Sequence, residues 1–344
     1  MAVGAETSTE TSAEMTFAHK VLGSPTLRLA GRRLLAAIPV LWGVTLLTYV
    51  VMNLLPGDAA QELLGANATP AQVHQLEIQL HLNEPFWVRY GGWLGGLLHG
   101  NLGTSLASRE NVTTILGQRL PVTAELLIYA FAGSIVFAVG LAVLAARKPN
   151  GIADRISMVV SMTGLSVAPY VLALVLIYIF AVRLQWFPAI GYTSLTQNPG
   201  ANIRSLTLPA IAIGFPLFSV YTRLLRADIV EQMQREDYIV TARAKGVPPW
   251  RVLIRHALPN SLFGLITLVA LNLGTLVGAA AIIEPIFSLP GVGAILIQSI
   301  TDHDVPVVEG IVVVFAVVVV LAGLLADLLY ATLDPRIRYE RAAS

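Results

Sequence analysis

The chain has 344 residues, 55% of them hydrophobic and only 12% charged, and its mean hydropathy is +0.70. A soluble domain carries about 25% charged residues, so this composition indicates a protein of the bilayer. A net charge of +1 gives no argument for nucleic acid as a partner, and the absence of cysteine excludes disulfides, thiolate metal sites and cysteine nucleophiles.

Residues 1–26 are rich in Ser, Thr, Glu and Ala without apolar periodicity and read as a disordered terminus. Arg28, Arg32 and Arg33 then precede the charge-free run 34–55, so 27–55 is expected to be a first span. The run is too long for a signal-peptide core and long enough to cross the bilayer. The stretch 56–120 reads as an insert between the first and second spans. It has a turn at Pro56-Gly57-Asp58, a helix over 70–82, and an aromatic part with Phe86, Trp87, Tyr90 and Trp93. Five more spans follow within a core at 121–335: 126–146, 156–182, 205–222, 257–283 and 310–326. Each is near or above the ~20 residues that cross a ~30 Å hydrocarbon core. The expected fold class is an all-α integral membrane protein with six transmembrane helices. Residues 336–344 are a short tail.

Basic residues are unevenly divided. The N-terminus, the loop after the second span, the segment between the fourth and fifth spans, and the tail hold 17, against 5 on the other side. The positive-inside rule then places both termini and the central segment in the cytosol and the insert outside.

That central segment, within 228–260, is the most distinctive part of the chain. Residues 237–260 carry Arg243, Lys245, Arg251 and Arg255 around a Gly246-Val247-Pro248-Pro249 corner. Gly246 suits a left-handed helix stop, and Pro248 and Pro249 suit the first turn of a second helix. A helix, a sharp corner and a helix returning to the bilayer would make a compact elbow.

Within the spans, Gly274 and Gly278 form a G-x-x-x-G pair that would let two helices approach closely. Pro169, Pro209 and Pro216 are expected to kink the third and fourth spans. Asp327 lies near the inner end of the last span, where an acid is costly unless paired, and Arg223 or Arg226 is its candidate partner. Snorkelling to the interface is the alternative.

Much chemistry is missing. None of Lys20, Lys148 and Lys245 follows glycine, so no phosphate-cradling P-loop is present. There is no His-Glu-x-x-His and no Gly-x-Ser-x-Gly, and the six histidines lack metal-ligand spacing. No acid or histidine sits in the middle of a span to relay protons.

At the elbow the sequence resembles the membrane permease subunits of ABC importers. Their signature is Glu-Ala-Ala, three residues, Gly, nine residues, then Ile-x-Leu-Pro. Gly246, Leu258 and Pro259 match it, Val240-Thr241-Ala242 stand at Glu-Ala-Ala, and His256 replaces the isoleucine. Thr241-Ala242-Arg243-Ala244-Lys245-Gly246, with Arg255-His256-Ala257, looks like the dipeptide/oligopeptide/nickel branch and its B-type permease. So do 54–58, Gly100 to Ser105, Arg119 to Thr123, Glu284 to Gly293, and 333–338. Asn101 stands where Asp is frequent.

The resemblance implies a type I importer fold. Its partners would be a second homologous permease, two cytosolic ABC ATPases that bind the ATP and magnesium, and an extracytoplasmic solute-binding protein, in a bacterial or archaeal inner membrane whose lipids surround the spans. It implies no cofactor, metal or catalysis in this chain. Asp237, Tyr238, Thr241, Ala242, Lys245 and Gly246 would shape the ATPase-docking surface, with Arg243 and Arg251 facing acidic groups and His256, Leu258 and Pro259 completing the segment. The cargo would be di- or oligopeptides, with nickel chelates, glutathione or another small solute as the alternative. An ion-coupled secondary transporter and a non-conducting membrane scaffold are readings of different classes.

Overall fold

The computed structural model describes residues 25–54, 61, 64, 68–80 and 83–333; the side chains of 25–30, 270, 273 and 327–333 fall outside the description. The expected terminus (all but its last two residues), the 336–344 tail, the Pro56-Gly57-Asp58 turn, the 333–338 motif beyond its first residue, and the Asp327 side chain therefore lie outside the described residues.

Lipid offers the backbone no hydrogen-bond partner, so a spanning segment closes its own bonds as a helix. The elements in order are α1 Pro25–Leu54, α2 Pro70–Gln79, α3 Phe86–Leu98, α4 Val112–Arg147, α5 Ile152–Ser166, α6 Pro169–Leu176, α7 Pro199–Arg235, α8 Asp237–Ala244, α9 Pro249–Val252, α10 Leu258–Ile286, α11 Val292–Thr301 and α12 Val305–Leu333. Among the described residues there is no strand, only one bridge between Thr104 and Asn111. Among the described residues, five helical stretches are long and apolar enough to cross a bilayer: Gly31–Leu54, Val112–Arg147, Pro199–Arg235, Pro249–Val269 and Val305–Ala326. The bent pair Ile152–Ser166 and Pro169–Arg183, α5 and α6 with the wider helical turn Ile177–Arg183 that continues α6, makes a sixth if counted as one span.

That pair departs from the expectation of one kinked span over 156–182. Its two limbs meet at 110°. Val167 and Ala168 are both extended ahead of Pro169, which opens α6. A residue before proline avoids the helical region, and proline itself, lacking an N–H, is suited to start a helix. Two such residues in a row turn a kink into a corner. By contrast, α7 runs through both Pro209 and Pro216.

Two helices overrun the apolar runs that announced them. α4 begins at Val112, inside the stretch assigned to the insert, and α7 continues to Arg235, inside the elbow segment. α2 stops at Gln79 rather than reaching residue 82; its start is a capping box in which Thr69 and Gln72 satisfy each other's backbone N–H groups.

The core runs the length of the bundle. α4 and α7 pack most extensively, and small residues allow it. A Cβ on Gly214 would lie 2.7 Å from the Ala130 carbonyl oxygen, and one on Gly164 would lie 1.9 Å from Ser219 Oγ. Close backbone approach thus occurs at α4–α7 and α5–α7. Among the described residues, the expected pair Gly274 and Gly278 shows no such approach within this chain. Gly274 meets only the Val319 side chain at ordinary contact distance, and Gly278 faces open space. The main cluster continues from Leu126 and Leu206 through Tyr221, Leu225 and Ile229 to Ile239 and Val252. The elbow is therefore packed onto the bundle by the same apolar core that holds the spans.

Candidate functional site

The elbow begins where α7 ends. Glu236 is extended and precedes α8, whose inward face is Ile239 and Ala242, 1% and 8% exposed. Ile239 and Ala242, three apart, share the inward face of α8, and Thr241, Ala244 and Lys245 are exposed. Gly246 then takes φ +78, and its N–H donates to the Arg243 carbonyl at 2.9 Å while Val247 N–H donates to the Ala242 carbonyl at 3.2 Å. These are the two bonds of a Schellman stop, which closes orphan carbonyls and favours glycine in the left-handed position.

Pro249 opens α9, with Pro248 as its extended cap. A wider π-helical turn over Leu253–Ala257 joins α9 to α10. In a regular helix the ring of Pro259 would clash with the Arg255 carbonyl, and the wider turn relieves that contact. Val252, Leu253 and Ala257 are buried beneath it.

Three side chains lock the corner. The Tyr238 hydroxyl donates to Gln232 Oε1 on α7 and accepts from Asn260 Nδ2 on α10 at 2.9 Å. Arg243 Nη2 donates to the Met233 carbonyl at 2.9 Å. Thr241 Oγ1 donates to the Asp237 carbonyl at 3.0 Å. Of the residues expected on a docking surface, Thr241, Lys245, Gly246, Arg251, Asp237 and Pro259 are exposed, whereas His256 and Leu258 are half-buried. Ala242 is inside, and Tyr238 and Arg243 are committed to internal bonds. The exposed crest also carries Val240, Trp250 and Ile254, with the Arg251 guanidinium 5.9 Å from the Trp250 ring centre. Apolar residues exposed on an elbow were not singled out from sequence; their signal was simply their lying at 240, 250 and 254, off the buried face.

The basic end of α7 holds a second arrangement. Arg226 Nε and Nη2 donate to the two Asp154 oxygens at 2.8 and 2.9 Å, and Asn150 N–H donates to Asp154 Oδ2 at 2.8 Å. Asp154 is fully buried. Arg226 thus takes Asp154, on the loop side of α5. The reason is reach: the planar guanidinium meets a carboxylate in forked geometry, and α5 packs directly on α7. Arg223 is exposed.

The far end of the bundle, which carries the insert, explains three of the motifs. Glu284 is buried and accepts from Thr123 Oγ1 at 2.6 Å and from Ala294 N–H at 3.0 Å, at the start of α11. A carboxylate there meets the positive end of the helix dipole. Val292 N–H returns a bond to Thr123 Oγ1 at 2.8 Å. A Cβ on Gly291 would overlap that carboxylate at 2.3 Å, and one on Gly293 would lie 2.4 Å from Ala281 Cα. Ser105 Oγ and the Leu106 and Ala107 N–H groups all donate to Asp304. Glu125 accepts from Tyr192 and Asn202, each at 2.8 Å. Burial, reinforced by that carboxylate, pushes the Tyr192 hydroxyl up to about 12, so it remains a donor at neutral pH. Among the described residues no three His, Asp or Glu side chains gather to hold a metal ion.

Comparison with known proteins bears on this arrangement. The family described as "Binding-protein-dependent transport system inner membrane component" matches residues 138–339, and its N-terminal companion matches residues 26–127. The chain is 38% identical to the dipeptide transport system permease protein of Alkalihalophilus pseudofirmus, covering 91% of this chain and 100% of that protein. It is 36% identical to the di/tripeptide transport system permease protein of Pseudomonas aeruginosa, over 92% and 100%. It is 34% identical to the glutathione transport system permease protein of Pectobacterium atrosepticum, over 90% and 98%. A multi-pass helical bundle, an elbow closed by Gly246 and Pro249, and motifs that latch its opposite end lie within those matches. The chain belongs to the inner membrane components of binding-protein-dependent transport systems.

Proposed function

We propose that this chain is one of two pore-forming permease subunits of an ATP-driven importer for di- and oligopeptides. In this reading the elbow faces the cytosol, as the 17 to 5 division of basic residues favours, and the insert faces the solute-binding protein. Two cytosolic ATPases supply the catalysis, which this chain does not perform. The single observation that carries the reading is the elbow itself. A corner closed by Gly246, pinned by Tyr238 and Arg243, and seated on the main core through Ile239 and Val252 moves as a rigid body. A partner gripping Trp250, Lys245 and Arg251 would pull on α7 and α10 together, whereas a flexible loop would absorb the motion. Nucleotide and loaded binding protein would each select one of the two bundle states.

Peptide as cargo is supported by the dipeptide and di/tripeptide permeases among the relatives. Glutathione is the second reading, supported by a relative named for it. The test is uptake into proteoliposomes that hold the assembled complex, with its binding protein added outside. ATP-dependent accumulation of a dipeptide such as Ala-Ala is expected. Accumulation of glutathione without any dipeptide would overturn the cargo, and ATP-independent uptake would overturn the mechanism.

A further inference from the structure

Glu309, near the start of α12, is 1% exposed, and among the described residues neither of its carboxylate oxygens has a hydrogen-bond partner. An unpaired buried acid in a membrane helix is costly enough that such residues mark functional positions. Glu309 lines a cavity of about 450 Å³ at the insert end, walled also by Tyr49 of α1, Arg89 and Trp93 of α3, and Val305 and Pro306 of α12. Two more buried atoms there lack partners among the described residues, Arg89 Nε and Trp93 Nε1. The Arg89 guanidinium is held in place, donating through Nη2 to Asn53 Oδ1 at 2.6 Å and lying 6.0 Å from the Tyr49 ring centre.

One wall thus offers an unused acid and another offers two unused N–H donors, with aromatic faces between. A primary ammonium suits the acid and the aromatic faces, and an acidic oxygen suits the donors. We propose that this cavity binds a zwitterion that joins a primary ammonium to an acidic group, the ammonium at Glu309 and the acid at Arg89 and Trp93. A metal ion fits less well, because no cluster of three ligating side chains surrounds it among the described residues.

Phosphatidylethanolamine, through its headgroup, and a free peptide both carry this chemistry. The surroundings favour the lipid. Trp87 and Val88 on the same helix α3 are 70% and 56% exposed, as on a helix lying against the bilayer surface. The site stands whichever cargo the transporter carries.

The experiment is native mass spectrometry of the delipidated complex of this chain with its partner subunits, offered one probe at a time. The probes are phosphatidylethanolamine, phosphatidylcholine and Ala-Ala. Phosphatidylethanolamine occupancy is expected to fall roughly tenfold in Glu309→Gln, the loss of a charged hydrogen bond. Phosphatidylcholine, whose quaternary ammonium donates no hydrogen bond, is expected to lose less than phosphatidylethanolamine on going from wild type to Glu309→Gln. Gly92→Leu places a side chain into the cavity from a position with open space around its Cβ, and is expected to displace the probe with Glu309 intact. If Glu309→Gln does not assemble, Gly92→Leu decides. Retention of Ala-Ala in place of the lipid, lost in the same variants, assigns the site to a peptide. Equal occupancy of phosphatidylethanolamine and of Ala-Ala in wild type and in the variants overturns the proposal.

Discussion

Arg226 and Asp154 form a forked ion pair, Nε to Oδ1 at 2.8 Å and Nη2 to Oδ2 at 2.9 Å, across 72 positions of sequence. The pair joins the start of α5 to the basic end of α7, two turns before α7 runs into the elbow. It fixes the stem on which the elbow is carried. Removing one partner of a buried pair strands the other, at a cost of about 3–5 kcal/mol, whereas replacing both by apolar groups is far milder. Asp154→Asn is therefore expected to lower the melting temperature of the purified chain markedly, with Asp154→Leu/Arg226→Met recovering much of the loss. Arg226→Lys is expected to behave like a loss, since an ammonium cannot reproduce the fork. Thermal melts of the three variants in one detergent check the order.

Gly246 sits at φ +78, and the space that a Cβ would occupy there is open, so a substitution suffers from backbone strain rather than collision. A β-branched residue loses about 1–2 kcal/mol in that region. Gly246→Val is expected to abolish or sharply reduce uptake while the assembled complex still binds nucleotide. Unimpaired uptake would show that the corner transmits nothing.

Trp250 is 53% exposed at the crest of the elbow. A large exposed aromatic beside Arg251 is the kind of anchor that loses about 2 kcal/mol or more on truncation when it is buried in a partner. Trp250→Ala is expected to weaken co-purification of the ATPase without changing the melting temperature of the isolated chain. Pull-down against tagged ATPase measures the first and a melt the second.

Gly293 has no room for a methyl group, its Cβ falling 2.4 Å from Ala281 Cα on α10. Gly293→Ala is expected to separate α11 from α10 and to cost roughly 1–3 kcal/mol, as overpacking does. Glu284→Gln keeps the shape but weakens the bonds from Thr123 and Ala294, and is expected to cost less. Limited proteolysis near Ser288 to Pro290 reports on both.

The spans were legible because charge-free runs of ~20 residues have few readings, and the elbow's corner because glycine favours a left-handed helix stop and proline a helix's first turn. What sequence left hidden was of two kinds. Helix ends were hidden where polar residues continue a helix outside lipid, as α4 does from Val112 and α7 to Arg235. Partnerships were hidden because they depend on which helices pack. Asp154 as the partner of Arg226 is one of these, supplied by the packing of α5 on α7. Ala242 matched the signature but is buried, since the face of α8 that turns inward is set by Ile239. The 110° corner at Pro169 needed Val167 and Ala168 to be extended together, which a count of apolar residues does not register.

The chain contains no cysteine, so a single one introduced at Lys245 reports only on the elbow. The most direct measurement is labelling of Lys245→Cys with a membrane-impermeant maleimide, in intact cells and in inverted vesicles, followed by cross-linking to the ATPase in the assembled complex. The account predicts labelling in inverted vesicles alone and a cross-link to the ATPase that changes with nucleotide. Labelling from outside intact cells, or no cross-link to any nucleotide-hydrolysing subunit, would contradict it.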